Sequence, residues 1–356
     1  MRIGIDAREL AGHATGVGRY LAGLLREWSA APDLRHEFLL YGTAEPPIRL
    51  DPRRFHQRTI PGAAGTWWEQ TQLPQALKQD HLDVFFAPAY TAPLRLTIPS
   101  VLTIHDVSYT AHPEWFTMRE GVRRRWLTRQ SAMRARAIVT VSQFSRREIV
   151  EHLQVPESRI HVIPQGIDRP RVARGSGDQG RILFVGSILN RRHVPDLIRA
   201  VHRLARTRPD VTLDIVGDDR SFPPEDVAGQ IRNLELENRV RWHRYVTDEQ
   251  LLDLYTRARA FAFLSEYEGL GMTPLEALAC NVPPVLYDTA VARESCGEAA
   301  LFVPPGNQAA LLTALETALF DEPARRGLLA AAPAALARYE WPRAARETLA
   351  LIESAQ

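Results

Sequence analysis

The sequence predicts an α/β protein built from two doubly wound domains, on three observations. The chain has 356 residues, more than one ordinary hydrophobic core organises. Short β-branched and apolar runs alternate with longer stretches of helical periodicity along nearly its whole length. Two such series are separated by Arg169–Gly180, which is rich in Gly, Arg and Ser and has no periodicity.

The first series has candidate strands at Ile3–Asp6, Glu37–Tyr41, Asp83–Ala87, Ser100–Ile104, Ala137–Val141 and Ile160–Ile163. The second has Arg181–Val185, Thr212–Val216, Val240–His243, Ala260–Leu264, Pro284–Tyr287 and Ala300–Val303. Helical patterns such as Arg19–Trp28, Pro195–Arg206 and Glu249–Arg257 lie between them. This rhythm predicts parallel sheets covered by helices on both faces. The expected organisation is an N-terminal domain over 1–168, a linker over 169–180 and a second domain over 181–338. A final helix over 339–356 is expected to pack back on the first domain. Two such domains facing each other would form a cleft at the carboxyl ends of both sheets, where α/β proteins bind ligands.

Composition narrows the function classes. Apolar residues make up 45% and the net charge is +2, so neither disorder nor a whole-molecule basic field for nucleic acid is indicated. Lys78 is the only lysine, and an arginine bias this complete reflects composition more than a phosphate-binding surface. The two cysteines, Cys280 and Cys296, suit a reducing compartment, and there is neither a signal-peptide pattern nor a membrane-length apolar run. The expected location is the cytoplasm. The stretch Trp115–Arg136 carries seven arginines interleaved with Trp115, Phe116, Trp126 and Leu127. It reads either as a solvated helix or as one lying on an anionic membrane surface, peripheral at the inner face.

The segment from Phe263 to Cys280 carries the chemistry. A strand ends near Leu264, a glycine turn follows, and a helix is expected to open near Pro274 with Thr273 as its N-cap. Glu276 then completes a capping-box pattern. Read structurally, Glu276 caps its own helix and Glu268 is a loop carboxylate in water. Read functionally, backbone amides and the helix dipole suit a diphosphate, while flanking carboxylates accept hydrogen bonds from sugar hydroxyls. Eight residues of helical rise would separate the two carboxylates by about 12 Å, too far for a paired acid and base.

Here the sequence resembles family 4 of the retaining glycosyltransferases, whose hallmark Glu-x7-Glu is matched by Glu268-Gly-Leu-Gly-Met-Thr-Pro-Leu-Glu276. Gly4-Ile-Asp-Ala-Arg8 and Gly16-Val-Gly-Arg-Tyr20 resemble the family's opening strand and glycine loop. Trp67-Trp-Glu-Gln70, Leu73-Pro74 and Thr103-Ile-His-Asp106 resemble its mannosyltransferase-like branch. Val141-Ser-Gln-Phe-Ser145, Val162-Ile-Pro-Gln-Gly-Ile-Asp168, Cys296-Gly-Glu-Ala-Ala300 and Tyr339-Glu-Trp-Pro342 follow in the family's order.

The resemblance implies two Rossmann-like domains in the GT-B arrangement and a retaining hexosyltransferase. It implies that Glu268 contacts the donor hexose, that Gly269 and the amides around Leu270, Gly271, Met272 and Thr273 bind hexose and phosphates, and that Glu276 holds the ribose. His105 would touch the sugar near its anomeric carbon; its structural alternative is a satisfied histidine at a strand end. Asp106 would orient or cap its loop. Gly186 and Ser187 open the second phosphate grip, with Arg191 and Arg192 as cations that neutralise the leaving diphosphate. The family pattern has Arg-Lys there and often an arginine at the position of Ser187, so this chain departs twice. Backbone near Val246 would meet the base, and the Gly16, Val17, Gly18 loop would approach the diphosphate and acceptor.

No Asp-x-Asp occurs, so activity without a metal or any other cofactor is expected, with GDP-mannose as donor ahead of a UDP-hexose. The acceptor is expected to be a saccharide, free or lipid-linked, and nucleic acid is not an expected partner. The alternatives are a nucleotide-sugar epimerase of similar fold and a non-catalytic nucleotide-sugar-binding scaffold.

Overall fold

In the computed structural model, residues 1–12, 16–170 and 177–356 are described, and they form two compact units. The first comprises Met1–Gly166 with Tyr339–Gln356, and the second Ile167–Arg338. The first holds a parallel sheet of β1 (Arg2–Asp6), β2 (Glu37–Gly42), β3 (Phe55–Thr59), β4 (Val84–Ala87), β5 (Ser100–Thr103), β6 (Ala137–Thr140) and β7 (Ile160–Val162). Its spatial order is β3-β2-β1-β4-β5-β6-β7. The second holds β8 (Arg181–Val185), β9 (Thr212–Val216), β10 (Val240–His243), β11 (Ala260–Phe263), β12 (Pro284–Tyr287) and β13 (Leu301–Val303), in the order β10-β9-β8-β11-β12-β13. Every recorded strand pairing is parallel.

Period-two alternation explains how one sheet feeds two cores. Ile3, Ile5, Phe38 and Leu40 face one layer, with Tyr20, Leu21, Leu24, Trp28 and Ile352 from helices. Leu39, Tyr41, Phe85 and Ala87 face the other, with Trp68, Leu73 and Ile149. Because both faces are covered, the strands read as continuous apolar runs. Strand β3 escapes that rule. Its sequence Phe-His-Gln-Arg-Thr is polar because it is an edge strand pairing only with β2 and is buried at Phe55 alone, so hydropathy did not reveal it. The remaining strands match the expected ones to within a residue at either end.

Within 169–180, residues 171–176 lie outside those described, while 177–180 form an anchored turn. Asp178 there is ion-paired to Arg181 at 2.9 Å and to Arg257 at 3.0 Å. The helix Trp341–Ser354 belongs to the first unit, packing against the helix Gly16–Ala30. The indole N–H of Trp28 donates to the Ala345 carbonyl at 2.9 Å.

Trp341 explains two glycines of the first unit. A Cβ on Gly23 would lie 2.4 Å from its ring, and one on Gly166 would lie 2.3 Å from it. A ring held between two backbones has nowhere to move. We therefore expect Gly23→Ala to destabilise the protein by about 1–3 kcal/mol through overpacking, despite the about 1 kcal/mol that alanine gains over glycine in a helix. In a Trp341→Ala background the same change should become neutral or stabilising. A chemical-denaturation double-mutant cycle reads this directly, and an unchanged penalty in that background would refute it.

Candidate active site

At the carboxyl end of β8 the backbone turns through Gly186, whose φ of 146° favours glycine. A Cβ at this position would lie 2.7 Å from Arg192 Nη1 and 3.4 Å from the Phe263 ring. Glycine here therefore makes room for a guanidinium. Gly217, at the end of β9, has a φ of 144°, and its Cβ would stand 2.1 Å from the Gly186 carbonyl. Two strand ends thus touch backbone to backbone.

A tight turn over Asn190–Arg192 follows, closed by His193 in the left-handed region and leading into the helix Val194–Ala205. Arg192 Nε donates to Glu268 Oε1 at 2.8 Å, and its Nη1 donates to the Ser187 carbonyl at 2.9 Å. Its guanidinium carbon lies 5.0 Å from the centroid of Phe263, the last residue of β11. Arg191 Nε donates to the Tyr267 carbonyl at 3.2 Å, and the Glu266 amide donates to the Arg191 carbonyl at 3.0 Å. Thus the turn after β8 and the loop after β11 are stitched together, and Gly186, Ser187, Arg191, Arg192 and Glu268 form one site.

Glu268 also accepts from Ser265 Oγ at 2.9 Å. Burial is the largest influence on this carboxyl and works to raise its pKa. Arg192, Arg191 and the two hydrogen bonds outweigh it and hold the group below its usual range, so it is an anion at neutral pH.

The helix after this loop differs from the sequence expectation. It runs Met272–Ala279, two residues earlier than Pro274, with Gly271 as its N-cap at φ 83°. Thr273 therefore lies inside the first turn, and the capping box with Glu276 does not form. A glycine in the left-handed region can reverse the chain sharply, which lets the helix begin before the proline. Among the described residues no side chain caps this helix, and Thr273 Oγ1 is buried with no hydrogen-bond partner among them. Glu276 is instead held by Tyr255, whose hydroxyl donates to Oε2 at 3.1 Å from the helix Asp248–Arg257. Tyr255 was not legible as a site residue, because nothing in a linear pattern joins a tyrosine to a carboxylate 21 residues away. Val246 lies half-buried after β10, beside the largely exposed Tyr245.

The other expected residues belong to the first unit. His105 follows β5 by two residues, edge-on to Tyr20 at 4.9 Å. Its Nε2 lies 3.0 Å from the Pro88 carbonyl, which can only accept, so Nε2 carries the proton. Burial lowers its pKa, so the ring is neutral and Nδ1 is left as an acceptor. Asp106 does cap its loop: Oδ1 accepts from the Ser108 amide at 2.9 Å and Oδ2 from the Tyr90 hydroxyl at 3.0 Å. Gly16, Val17 and Gly18 form the first turn of the helix Gly16–Ala30 and not an open loop; residues 13–15 before them are outside those described.

The arginine-rich stretch is the helix Met118–Arg134. Leu127, Thr128, Ser131 and Ala132 are buried, while Met118, Val122, Trp126 and Met133 are 85%, 52%, 56% and 47% exposed. At about 100° per residue those four fall within an arc of about 80°. They form an apolar stripe in water, with exposed Arg119 and Arg123 beside it.

Comparison with known proteins follows the same division. The model of Glycosyl transferases group 1 matches residues 168–334, and that of Glycosyltransferase Family 4 matches residues 14–171. The O-antigen chain mannosyltransferase B of Escherichia coli is 27% identical over 76% of this chain and 74% of its own length. A glycogen synthase of Mycobacterium tuberculosis is 28% identical over 70% of this chain and 62% of its own. Among solved structures, Anabaena HepE in complex with UDP and glucose superposes with a TM-score of 0.78 at 19% identity, covering 99% of this chain and 100% of that one. WaaG, a glycosyltransferase involved in lipopolysaccharide biosynthesis, gives 0.76 at 17% identity and covers 99% of each chain.

The Glu268 carboxyl supplies a pH test. Its folded-state pKa is depressed, so its stabilising contribution is present above the unfolded value of 4.5 and is lost as pH falls through the lower folded value. Glu268→Gln should cost about 2 kcal/mol, the worth of charged hydrogen bonds. The cost should stay constant from neutral pH down to 4.5 and shrink only below that. Denaturation midpoints measured against pH for both proteins would show it, and a difference already fading well above 4.5 would contradict the assignment.

Proposed function

Since the chain belongs to family 4 of the glycosyltransferases, within its mannosyltransferase-like branch, we propose that this hexosyltransferase moves mannose from GDP-mannose to a saccharide acceptor with retention and without a metal. The observation that carries the reading is the Arg192–Glu268 pair seated on Gly186, next to an uncapped helix end and Glu276. It offers a cation for a diphosphate, an anion for sugar hydroxyls, the backbone amides of a helix end without a side-chain cap and a second carboxylate for ribose.

In the proposed reaction the bond from the anomeric carbon to the diphosphate oxygen breaks, and charge gathers on the leaving oxygen. Arg191 and Arg192 stabilise that charge. The acceptor hydroxyl attacks from the same face, and its proton passes to the departing phosphate oxygen, so no protein nucleophile is used. Glu268 holds the hexose by its hydroxyls. The GDP preference and mannose rest on the mannosyltransferase relatives. A UDP-hexose is the second candidate, supported by the structural neighbour bound to UDP and glucose.

The acceptor we propose is lipid-linked, presented at an anionic membrane surface on which the helix Met118–Arg134 lies. Its support is the apolar stripe of Met118, Val122, Trp126 and Met133 with exposed Arg119 and Arg123 beside it, unpaired among the described residues. Among the described residues no helix is long and apolar enough to cross a membrane.

Two measurements test these statements. Thermal unfolding with GDP, UDP, ADP and their sugars, in excess chelator, should show one nucleotide stabilising the protein selectively. Ligand at about a hundredfold its Kd contributes about 2.7 kcal/mol, and Glu276→Ala should weaken the effect. No stabilisation by any nucleotide would refute nucleotide-sugar binding, and stabilisation that needs a divalent cation would refute metal independence. Sedimentation with phosphatidylcholine vesicles, with and without phosphatidylglycerol, tests the surface. Binding should need the anionic lipid, weaken with salt and fall in Val122→Glu. A wild-type chain that stays in the supernatant would exclude the membrane role.

A further inference from the structure

The helix Asp248–Arg257 begins two residues after Val246, and a reciprocal cap fixes its start. Thr247 Oγ1 accepts from the Gln250 amide at 3.2 Å, while Gln250 Oε1 accepts from the Thr247 amide at 2.9 Å. Tyr255 stands about two turns along this helix. It is 3% exposed, with its ring stacked on Phe261 of β11 at 6.1 Å. Its hydroxyl donates to Glu276 Oε2 at 3.1 Å and lies 3.5 Å from the Thr273 carbonyl. Both acceptors belong to the helix Met272–Ala279. One phenol thus ties the helix after Val246 to the carboxylate proposed for ribose.

Packing alone does not account for the hydroxyl. The stack on Phe261 needs only the ring, and burying a phenol costs free energy unless its oxygen is bonded. Phenylalanine would fill the same space without that requirement. What the hydroxyl adds is direction. The terminal torsion of a glutamate is broad and roughly two-fold, so a carboxylate without a fixed donor turns easily. A neutral phenol can donate and a carboxylate only accepts, so the roles in this bond are settled. Vicinal hydroxyls present two donors side by side, and reading them needs a carboxylate whose plane is held.

We propose that Tyr255 is a positioning residue that makes the donor site selective for a nucleotide carrying both ribose hydroxyls. Its hydroxyl sets the plane of the Glu276 carboxylate, and that carboxylate accepts from the vicinal hydroxyls of the ribose. The helix that carries Tyr255 starts next to Val246, whose backbone is expected at the base. Base and ribose are therefore read by parts that one hydrogen bond holds together. This selectivity deepens the transferase reading and rests on it.

Titration calorimetry on the full chain tests it, with GDP and UDP beside their dideoxy counterparts, which lack both vicinal hydroxyls. The wild type should bind the ribose form of one nucleotide about tenfold or more tightly than its dideoxy form, the worth of hydrogen bonds to a charged group. Tyr255→Phe should weaken the ribose form by about fivefold and leave the dideoxy form unchanged. Glu276→Asp keeps the charge but draws the carboxylate back from the phenol. It should shrink the preference too, and it supplies the same readout should Tyr255→Phe fail to fold. With Glu276→Ala the preference should vanish, and adding Tyr255→Phe should cost nothing further. A merely structural tyrosine would instead lower the melting temperature and weaken both forms equally, keeping their ratio. That unchanged ratio, or a wild type indifferent to the ribose hydroxyls, would overturn the role of Tyr255 and leave the transferase reading standing. A wild type that binds no nucleotide in either form strikes the transferase reading, and the role of Tyr255 falls with it.

Discussion

The contact between Arg192 and Gly186 sets the geometry of the second unit's strand ends. A guanidinium can lie against that backbone only because there is no Cβ, and it stays there because Glu268 and the Ser187 carbonyl hold it from two sides. The pair is only 14% and 17% exposed, so each charge would be costly alone. Held together, they fix the turn after β8 to the loop after β11, and the flanking elements inherit their positions from that link. The Gly217 contact on the other side of Gly186 requires the same absence of side chains.

In both units the same physical constraint gathers polar and charged groups at the strand ends. A parallel sheet buried on both faces leaves its strand termini as the place where backbone polar groups and charged side chains can emerge. In the second unit the emergent groups are an arginine turn, a carboxylate loop and an uncapped helix end. In the first they are His105, the Asp106 cap and the Asp6–Arg8–Glu69 cluster. Ion pairs hold charged groups in place in both, at 2.8 Å between Arg192 and Glu268 and at 2.5 Å between Arg8 and Glu69. The charge balances differ. Arg191 and Arg192 outnumber Glu268 where a diphosphate is proposed, while Asp6 and Glu69 outnumber Arg8 in the first unit.

Much of the fold was legible because burial leaves a period. Strands such as Arg181–Val185 and Thr212–Val216 were apolar runs between turn residues, and they appear in the structure with those same ends. What hydropathy missed was β3, whose role as an edge strand removes the requirement for an apolar sequence. The carboxylates of the candidate site were legible from the Glu-x7-Glu spacing around glycines. The start of their helix was not: proline at the first helical position and threonine before it is a sound local rule, yet Gly271 in a left-handed conformation began the helix earlier. At Gly16–Gly18 the expected glycine loop is instead the first turn of the helix Gly16–Ala30.

The sequence by itself determined the α/β class, the two series of strands, the family and the residue types at the candidate site. These depend on periodicity and on motifs contained in single segments. Only the tertiary structure decided which groups share charge and hydrogen bonds: Arg192 with Glu268, Tyr255 with Glu276, Arg8 with both Asp6 and Glu69. It also decided which side of the helix Met118–Arg134 stays in water. Such pairings join segments far apart in the chain. Their energies come from burial and orientation, which exist only once the sheets have formed, so no local pattern can carry them.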